Sequence, residues 1–117
     1  MKSNNLLFGT VDTFLIWKLT NGKHHLTEAT NASRTMLFNI NNNKWDKEIL
    51  NKLKISKNIL PEIKNSADNF GSTNKKIIGA EIPISAVLGD QQAAAVGQSC
   101  FEKESVKSTY GTGDFVI

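Results

Sequence analysis

The sequence predicts an α/β fold, because runs typical of buried strands alternate with runs of helical periodicity. The apolar run 82–88 has no polar alternation, which indicates a strand buried on both faces of a sheet. It ends at Gly89, and the alanine-rich stretch 91–98 that follows has high helix propensity. Further along, the Gly-Thr-Gly sequence at 111–113 predicts a turn between two strands. Asp90 thus lies where a strand gives way to a helix.

The first predicted helix covers 11–19. Apolar residues recur there at the i, i+3, i+4 and i+8 positions of one helix face, namely Val11, Phe14, Leu15 and Leu19. Thr10 is the predicted N-cap, and Asn21-Gly22 ends the run. After this turn, 23–27 predicts a short strand and 31–35 a polar loop.

The middle of the chain predicts a turn and a second helix. The three asparagines 41–43 indicate a surface turn, and Asn43 is the predicted cap of a helix over 45–53. Trp45 is interpreted as a packing residue of that helix. A tight, partly buried turn is predicted at 59–63.

The last part of the chain predicts short strands. A loop over 65–76 bends at Gly71, and 77–78 begins a strand. The segments 105–110 and 114–117 are the two arms of the predicted hairpin. Because the second arm stops as it begins and its partner strands are missing, we expect a piece of a longer protein.

The composition is that of one modest globular domain. The chain has 117 residues, of which 39% are hydrophobic and 21% are charged, so disorder of the whole chain is not expected. The net charge of +3 comes from scattered lysines and one arginine, which indicates a solvated surface and no nucleic-acid partner. No signal peptide and no run of about 18 apolar residues is present, so we expect a cytoplasmic chain without membrane insertion.

Asp90 is the first candidate for chemistry. A carboxylate at the start of a helix suits general-base work or metal binding, and it is equally a plain N-cap. Gln91 and Gln92 can donate and accept hydrogen bonds, which suits a substrate that carries hydroxyl groups, although glutamines are also common on helix surfaces.

The Gly111-Thr112-Gly113 turn is the second candidate. Its glycines let the backbone approach a ligand, and the threonine hydroxyl can donate to a phosphate. A hairpin turn needs glycine for its own geometry, which is the alternative. The turn is neither a Walker loop nor a dinucleotide fingerprint, since no Gly-Lys-Ser/Thr, third glycine or helix follows.

Four other residues are weaker candidates. His24 and His25 are adjacent, so on a strand they point to opposite faces and are interpreted as an exposed pair. Arg34 either holds an anion or links two loops. Cys100 has no cysteine partner, which fits a reducing compartment and a packing role.

Several stretches together resemble the glycerol kinases, sugar kinases with the actin and hexokinase type of ATPase fold. The resemblance covers the whole chain, in the family's order. The matching stretches are 7–20, 30–40 (Thr-Asn-Ala-Ser-Arg-Thr-Met-Leu-Phe-Asn-Ile), 82–85 with Gly89-Asp90-Gln91-Gln92-Ala93-Ala94, and Thr109-Tyr110-Gly111-Thr112-Gly113.

The resemblance implies roles for named residues. Asp90 would be the general base that takes the proton of a glycerol hydroxyl, and it is the candidate metal residue through Mg-ATP. Gln91 would bind glycerol. Thr112 would contact the nucleotide phosphates, with Gly111 and Gly113 shaping the turn. The cofactors implied are ATP and Mg²⁺, and the product is sn-glycerol 3-phosphate.

The resemblance also implies an incomplete ribonuclease H-like (actin-like ATPase) domain. Residues 1–98 would form the second half of the N-terminal kinase domain, and 99–117 the linker and first hairpin of the C-terminal domain. The family's opening phosphate hairpin, its Arg-Glu glycerol grip and its adenosine site have no counterpart here. We therefore expect the isolated chain to be inactive.

Two departures from the family and three hypotheses complete the prediction. Asp114 follows the Gly-Thr-Gly turn, where a carboxylate repels phosphates. The shorter loop 75–81 has Glu81 where some bacterial members place an arginine of the fructose 1,6-bisphosphate site, so we expect that site to be absent. The chain is a kinase fragment, a split-gene subunit that pairs with other kinase pieces or with itself, or a pseudogene product or non-enzymatic interaction module.

Overall fold

A computed structural model describes residues 6–117. That range contains five α-helices and six short strands. The helices are α1 (Val11–Leu19), α2 (Ala29–Ala32), α3 (Lys47–Lys52), α4 (Lys75–Ile78) and α5 (Asp90–Gly97). The strands are β1 (Leu26–Glu28), β2 (Phe38–Asn39), β3 (Lys44–Trp45), β4 (Glu62–Lys64), β5 (Ser108–Tyr110) and β6 (Asp114–Val116). Single 3₁₀ turns cover Ser33–Thr35 and Lys57–Ile59.

The described strands form three separate pairs. Strands β1 and β4 are parallel, with Thr27 opposite Ile63. Strands β2 and β3 form a short antiparallel pair, and β5 and β6 form the C-terminal hairpin, with Thr109 opposite Phe115. The α/β class and the hairpin are therefore confirmed.

Helix α1 has the predicted bounds, but the prediction of its buried face was wrong. Val11 and Phe14 are 74% and 58% exposed, whereas Asp12, Thr13 and Ile16 are buried. The buried side meets β1, where the Thr27 hydroxyl donates to Asp12 Oδ2 at 2.7 Å. Periodicity shows which side of a helix is apolar, but the surface that covers that side need not belong to the same chain.

A first core lies between α2, β3 and α3. Its buried members are Ala32, Leu37, Trp45, Leu50 and Leu60. The indole of Trp45 donates to the Pro61 carbonyl at 2.8 Å, which confirms its packing role. The predicted helix start was wrong, because Trp45 lies in β3 and the helix begins at Lys47.

The cap of α3 was also predicted wrongly. Asp46 accepts hydrogen bonds from the amides of Glu48 and Ile49 at 2.9 and 3.0 Å. Asn43 has a φ of 53° in the turn between β2 and β3. The carboxylate satisfies two helix amides at once, and hydrogen bonds to these amides lower the pKa of Asp46 below its ordinary value.

Four further local predictions differ from the structure, because a side chain caps a helix there or a distant strand pairs with the segment. The strand predicted at 23–27 begins three residues later and ends one residue later, as β1 (Leu26–Glu28). The polar loop 31–35 is helical, because the Glu28 side chain caps α2. The turn at 59–63 contains β4, which pairs with β1. The strand at 77–78 is the end of α4, capped by the side chain of Asn74.

The run 82–88 is not the regular buried strand that its composition predicts. It lies antiparallel to residues 66–73, with two isolated bridges, Ala67 to Ala86 and Ser72 to Pro83. Backbone hydrogen bonds also join the two segments, among them Phe70 N to Ile84 O at 3.0 Å, and Ile82 is 51% exposed. Ile84 and Val87 alone pack against the second core, which consists of Ile16, Leu26 and Phe70. Within residues 6–117 these contacts with 66–73 form no continuous ladder, so neither segment is a regular strand.

The residues after 81 are mostly exposed. Among those described from 82 onward, Lys107 is the one buried residue. Large apolar side chains on the surface there include Val96, Phe101, Val106, Tyr110, Phe115, Val116 and Ile117.

The longest helix within 6–117 has nine residues, far short of the roughly 20 that a bilayer crossing takes.

Candidate active site

A cleft of about 710 Å³ separates α1 from the beginning of α5. One wall is apolar and comes from α1 and from the run before Gly89. Its polar lining residues are Asp12, Thr30, Asn31, Arg34, Asp90, Gln91 and Gln92. The structure thus brings the adjacent Asp90 and Gln91 into one cleft with Thr30, Asn31 and Arg34.

Asp90 is the first residue of α5, and Gly89 holds the N-cap position. The Asp90 carboxylate is exposed, and its one hydrogen bond within residues 6–117 comes from the amide of its neighbour Gln91, at 2.8 Å. A capping side chain would instead accept from the second or third amide of the helix. The other lone pairs of the Asp90 carboxylate are free within residues 6–117 and can accept a proton from a bound hydroxyl.

Gln91 contacts Lys107 and also lines the cleft. Its Oε1 accepts a hydrogen bond from the ammonium of Lys107 at 2.7 Å. Gln91 also lines the cleft beside Asp90. A carboxamide has donors as well as an acceptor, so its Nε2 can donate to a ligand while Oε1 is held by lysine.

A partly buried hydrogen-bond chain holds the loop before Asp90. The Gly89 amide donates to the Thr30 hydroxyl at 2.8 Å, and that hydroxyl donates to Glu28 Oε1 at 2.5 Å. Glu28 is fully buried and also accepts from the amides of Thr30 and Asn31 and from the Ser66 hydroxyl. Asp90 therefore stands on a loop that β1 and α2 hold in place.

The charge of Glu28 depends on these donors. Burial alone raises the pKa of Glu28, but the hydrogen bonds from Thr30 and Asn31 outweigh burial and keep the pKa below its ordinary value. Sequence reasoning missed this residue. An acidic residue before Ala-Thr-Asn is a recognisable N-cap signal, whereas the contact between Thr30 and Gly89 spans 59 residues and leaves no local pattern.

The Gly111-Thr112-Gly113 turn does not line this cleft. Thr112 is exposed, and no hydrogen bond within residues 6–117 uses its hydroxyl. A Cβ on Gly113 would lie 3.1 Å from the exposed Phe115 ring, so a side chain there would have to displace that ring slightly. Asp114 begins β6 and is exposed.

The weaker candidates occupy other places. Arg34 lines the cleft, and its Nε bonds only to the adjacent Ser33, at 3.3 Å, so within residues 6–117 it links no loops. His24 and His25 are half-buried, and not exposed as predicted. His25 Nε2 lies 2.7 Å from the Phe8 carbonyl, and a Cβ on Gly71 would meet the His24 ring at 2.5 Å. Cys100 is half-buried.

Within 6–117 no three His, Cys, Asp or Glu side chains form a group that could hold a metal ion.

Comparison with known proteins gives consistent matches. The model of the FGGY family of carbohydrate kinases, N-terminal domain, matches residues 2–97. Glycerol kinase from Chelativorans sp. (strain BNC1) is 58% identical over 116 residues, which are 99% of this chain and 23% of that relative. Glycerol kinase from Clostridium botulinum (strain Eklund 17B / Type B) is 57% identical over 117 residues, 99% of this chain and 24% of that relative. The chain thus spans about a quarter of the length of these relatives.

Two solved structures show the same fold. The crystal structure of Plasmodium falciparum glycerol kinase with ADP superimposes with a TM-score of 0.88 at 40% identity, covering 94% of this chain and 22% of that one. Ligand-bound xylulose kinase from Lactobacillus acidophilus gives a TM-score of 0.72 at 24% identity, covering 89% and 22%. The predicted resemblance to glycerol kinases and the predicted actin-like kinase fold are confirmed.

Proposed function

This chain belongs to the FGGY family of carbohydrate kinases, and we propose that it supplies the base and one substrate-binding residue of a glycerol kinase. The whole enzyme would transfer the γ-phosphate of ATP to glycerol and release sn-glycerol 3-phosphate. The observation that carries this proposal is the cleft in which the exposed Asp90 carboxylate lies beside Gln91.

Asp90 acts on the attacking hydroxyl. Its carboxylate makes no capping bond to the second or third helix amide and accepts one hydrogen bond from Gln91, so oxygen lone pairs remain for the glycerol O–H. Removing that proton as the oxygen attacks makes the oxygen a better nucleophile. Gln91 donates from Nε2 to a glycerol oxygen and fixes the substrate against the base.

The nucleotide would meet the Gly-Thr-Gly turn. The exposed Thr112 hydroxyl has no protein partner within residues 6–117 and can donate to a phosphate, while a Cβ on Gly111 would meet only the Gly113 carbonyl oxygen, at 4.0 Å. Mg-ATP supplies the transferred phosphoryl group and neutralises its charge, and Asp90 is the acidic residue that could face that metal. The exposed Asp114 carboxylate weakens nucleotide binding by repulsion.

The exposed apolar surface supports a role inside a larger kinase. Residues 1–98 would complete an N-terminal kinase domain, and 99–117 would begin the C-terminal one. The exposed side of α1 and the apolar side chains of the hairpin would be covered by the rest of the kinase, either in one polypeptide or as associated pieces. The isolated chain, with one edge of the site, would be inactive.

A chimera tests this function. The 117 residues replace the matching segment of the C. botulinum glycerol kinase, which is 57% identical over that length. We expect the chimera to be soluble and to phosphorylate glycerol with ATP, and we expect Gln91→Leu to raise its KM for glycerol. Lys103→Met, an exposed change in the connector, serves as the matched control. A folded chimera that phosphorylates no polyol would overturn the proposal.

A further inference from the structure

Lys107 is a buried lysine at the open end of the C-terminal hairpin. Its side chain is 2% exposed, although every other described residue from 82 onward is more exposed. Its backbone bonds to Ile117 in both directions, at 2.8 and 3.0 Å, and these bonds close the hairpin. The position of Lys107 is therefore fixed by the backbone as well as by burial.

The ammonium of Lys107 has a neutral partner. It donates to Gln91 Oε1 at 2.7 Å, while the one ion pair within residues 6–117 joins Lys64 and Glu62. A buried ammonium without a carboxylate is costly, and an apolar side chain of similar length would fill the same space at lower cost. Packing alone therefore does not account for a charged residue at this position.

The chemistry of the pair fixes the Gln91 carboxamide in one orientation. An ammonium can only donate, so Oε1 must face Lys107 and Nε2 must point away from it. Within residues 6–117 no hydrogen bond uses Nε2. The nearby positive charge also polarises the amide and strengthens its N–H donors.

We propose that Lys107 is a positioning residue that makes Gln91 a donor-only group toward the substrate. This inference rests on the proposed function, in which Gln91 binds a polyol hydroxyl oxygen in the cleft. The N–H groups of Gln91 would then bind a polyol oxygen that accepts a hydrogen bond, while Asp90 takes the proton of a neighbouring hydroxyl of the polyol. Because Lys107 and Gln91 lie on opposite sides of the proposed domain boundary at 98/99, Gln91 would be oriented only when the hairpin is docked on α5.

Substitution of Lys107 in the active chimera tests the positioning role. Lys107→Met keeps the length of the side chain and removes the donor, so we expect the KM for glycerol to rise about tenfold with kcat within about threefold. Lys107→Arg keeps a cationic donor and should recover part of the loss. Lys103→Met, an exposed lysine in the same segment, should change neither constant.

Gln91→Glu separates orientation from packing. The glutamate would still bond to Lys107 but would offer no N–H to the substrate, so we expect the KM to rise at least as much as in Gln91→Leu, with an unchanged melting temperature. Unaltered glycerol binding in Gln91→Glu, or an unaltered KM in Lys107→Met, would overturn the proposal.

A second measurement does not depend on activity. In the full 117-residue chain, the side-chain ¹H and ¹⁵N resonances of Gln91 Nε2 should shift in Lys107→Met and stay in place in Lys103→Met. Equal spectra in both variants would overturn the inference even if one chimera failed to fold. An inactive parent chimera combined with the expected shift would instead count against the proposed function and leave the pairing supported.

Discussion

The central segment, residues 26–64, buries many more of its side chains than the C-terminal segment, residues 82–117. The central segment encloses five buried apolar residues in one core, Ala32, Leu37, Trp45, Leu50 and Leu60. The C-terminal segment buries Lys107 alone among its described residues. Yet Asp90, Gln91 and Thr112, the candidates for chemistry, all lie in the C-terminal segment.

This difference separates the source of stability from the site of chemistry. The C-terminal segment takes its position from hydrogen bonds, of which the bond from the Gly89 amide to the Thr30 hydroxyl joins it to the central segment. Most of its apolar side chains are exposed, and only Ile84 and Val87 among its described residues pack against the second core. The chemical groups therefore sit on the part of the chain that depends most on the rest of a kinase.

Trp45→Ala should have the largest effect on stability. It removes a 7% exposed side chain and its bond to the Pro61 carbonyl, so we expect a loss of about 3–5 kcal/mol in the free energy of unfolding, measured with urea. The matched change in the C-terminal segment, Phe101→Ala at a 70% exposed position, should cost less than about 0.5 kcal/mol. Similar losses for both would remove the distinction between the segments.

Glu28→Gln should have an intermediate effect that depends on pH. The pKa of Glu28 is lower in the folded chain than in the unfolded chain, where it is about 4.3. The ionised form therefore stabilises the fold fully above about pH 4.3, and this stabilisation is lost as the pH falls through the folded pKa. At pH 7 we expect Glu28→Gln to cost about 2 kcal/mol.

Urea titrations of the parent chain and of Glu28→Gln at several pH values check this. The difference between their unfolding free energies should shrink below about pH 4. Other carboxylates, Asp46 included, titrate in both proteins and cancel in the difference. A difference that stays constant with pH would show that the charge of Glu28 does not stabilise the loop that carries Gly89.

The smallest effect on stability is expected from paired changes on the hairpin surface. Val106 and Val116 are 68% and 69% exposed, and Val→Thr at both keeps their shape and β-branching. We expect the unfolding free energy to change by less than about 0.5 kcal/mol, while self-association of the chain, followed by light scattering, falls. Unchanged association would mean that this surface does not drive contact between copies.

Local signals in the sequence predicted the elements that depend on nearby residues. Helix α1 follows from its periodicity, α5 from its alanines after Gly89, and the hairpin from its glycines. Asp90 was identified as a candidate because its place after an apolar run and a glycine is itself a local pattern. The family resemblance then supplied a role that spacing alone left open.

Features that depend on distant residues were not predictable. The composition of the run 82–88 is that of a buried strand, but whether it forms a strand depends on residues outside the run. In the same way, whether the apolar side of α1 is buried depends on which other residues cover it. Lys107 and Thr30 carried no signal, because their partners lie 16 and 59 residues away. Composition does not identify such pairs.

The central claim, that Asp90 is the base, is tested most directly by the kcat of the chimera carrying Asp90→Asn. Asparagine keeps the size of the side chain but cannot take the proton, so we expect kcat to fall by about 10²–10⁴-fold while the KM for glycerol changes little. Glu102→Gln, which neutralises an exposed acid of the same segment, should leave kcat unchanged. If Asp90→Asn retains the kcat of the parent chimera, Asp90 is not the base.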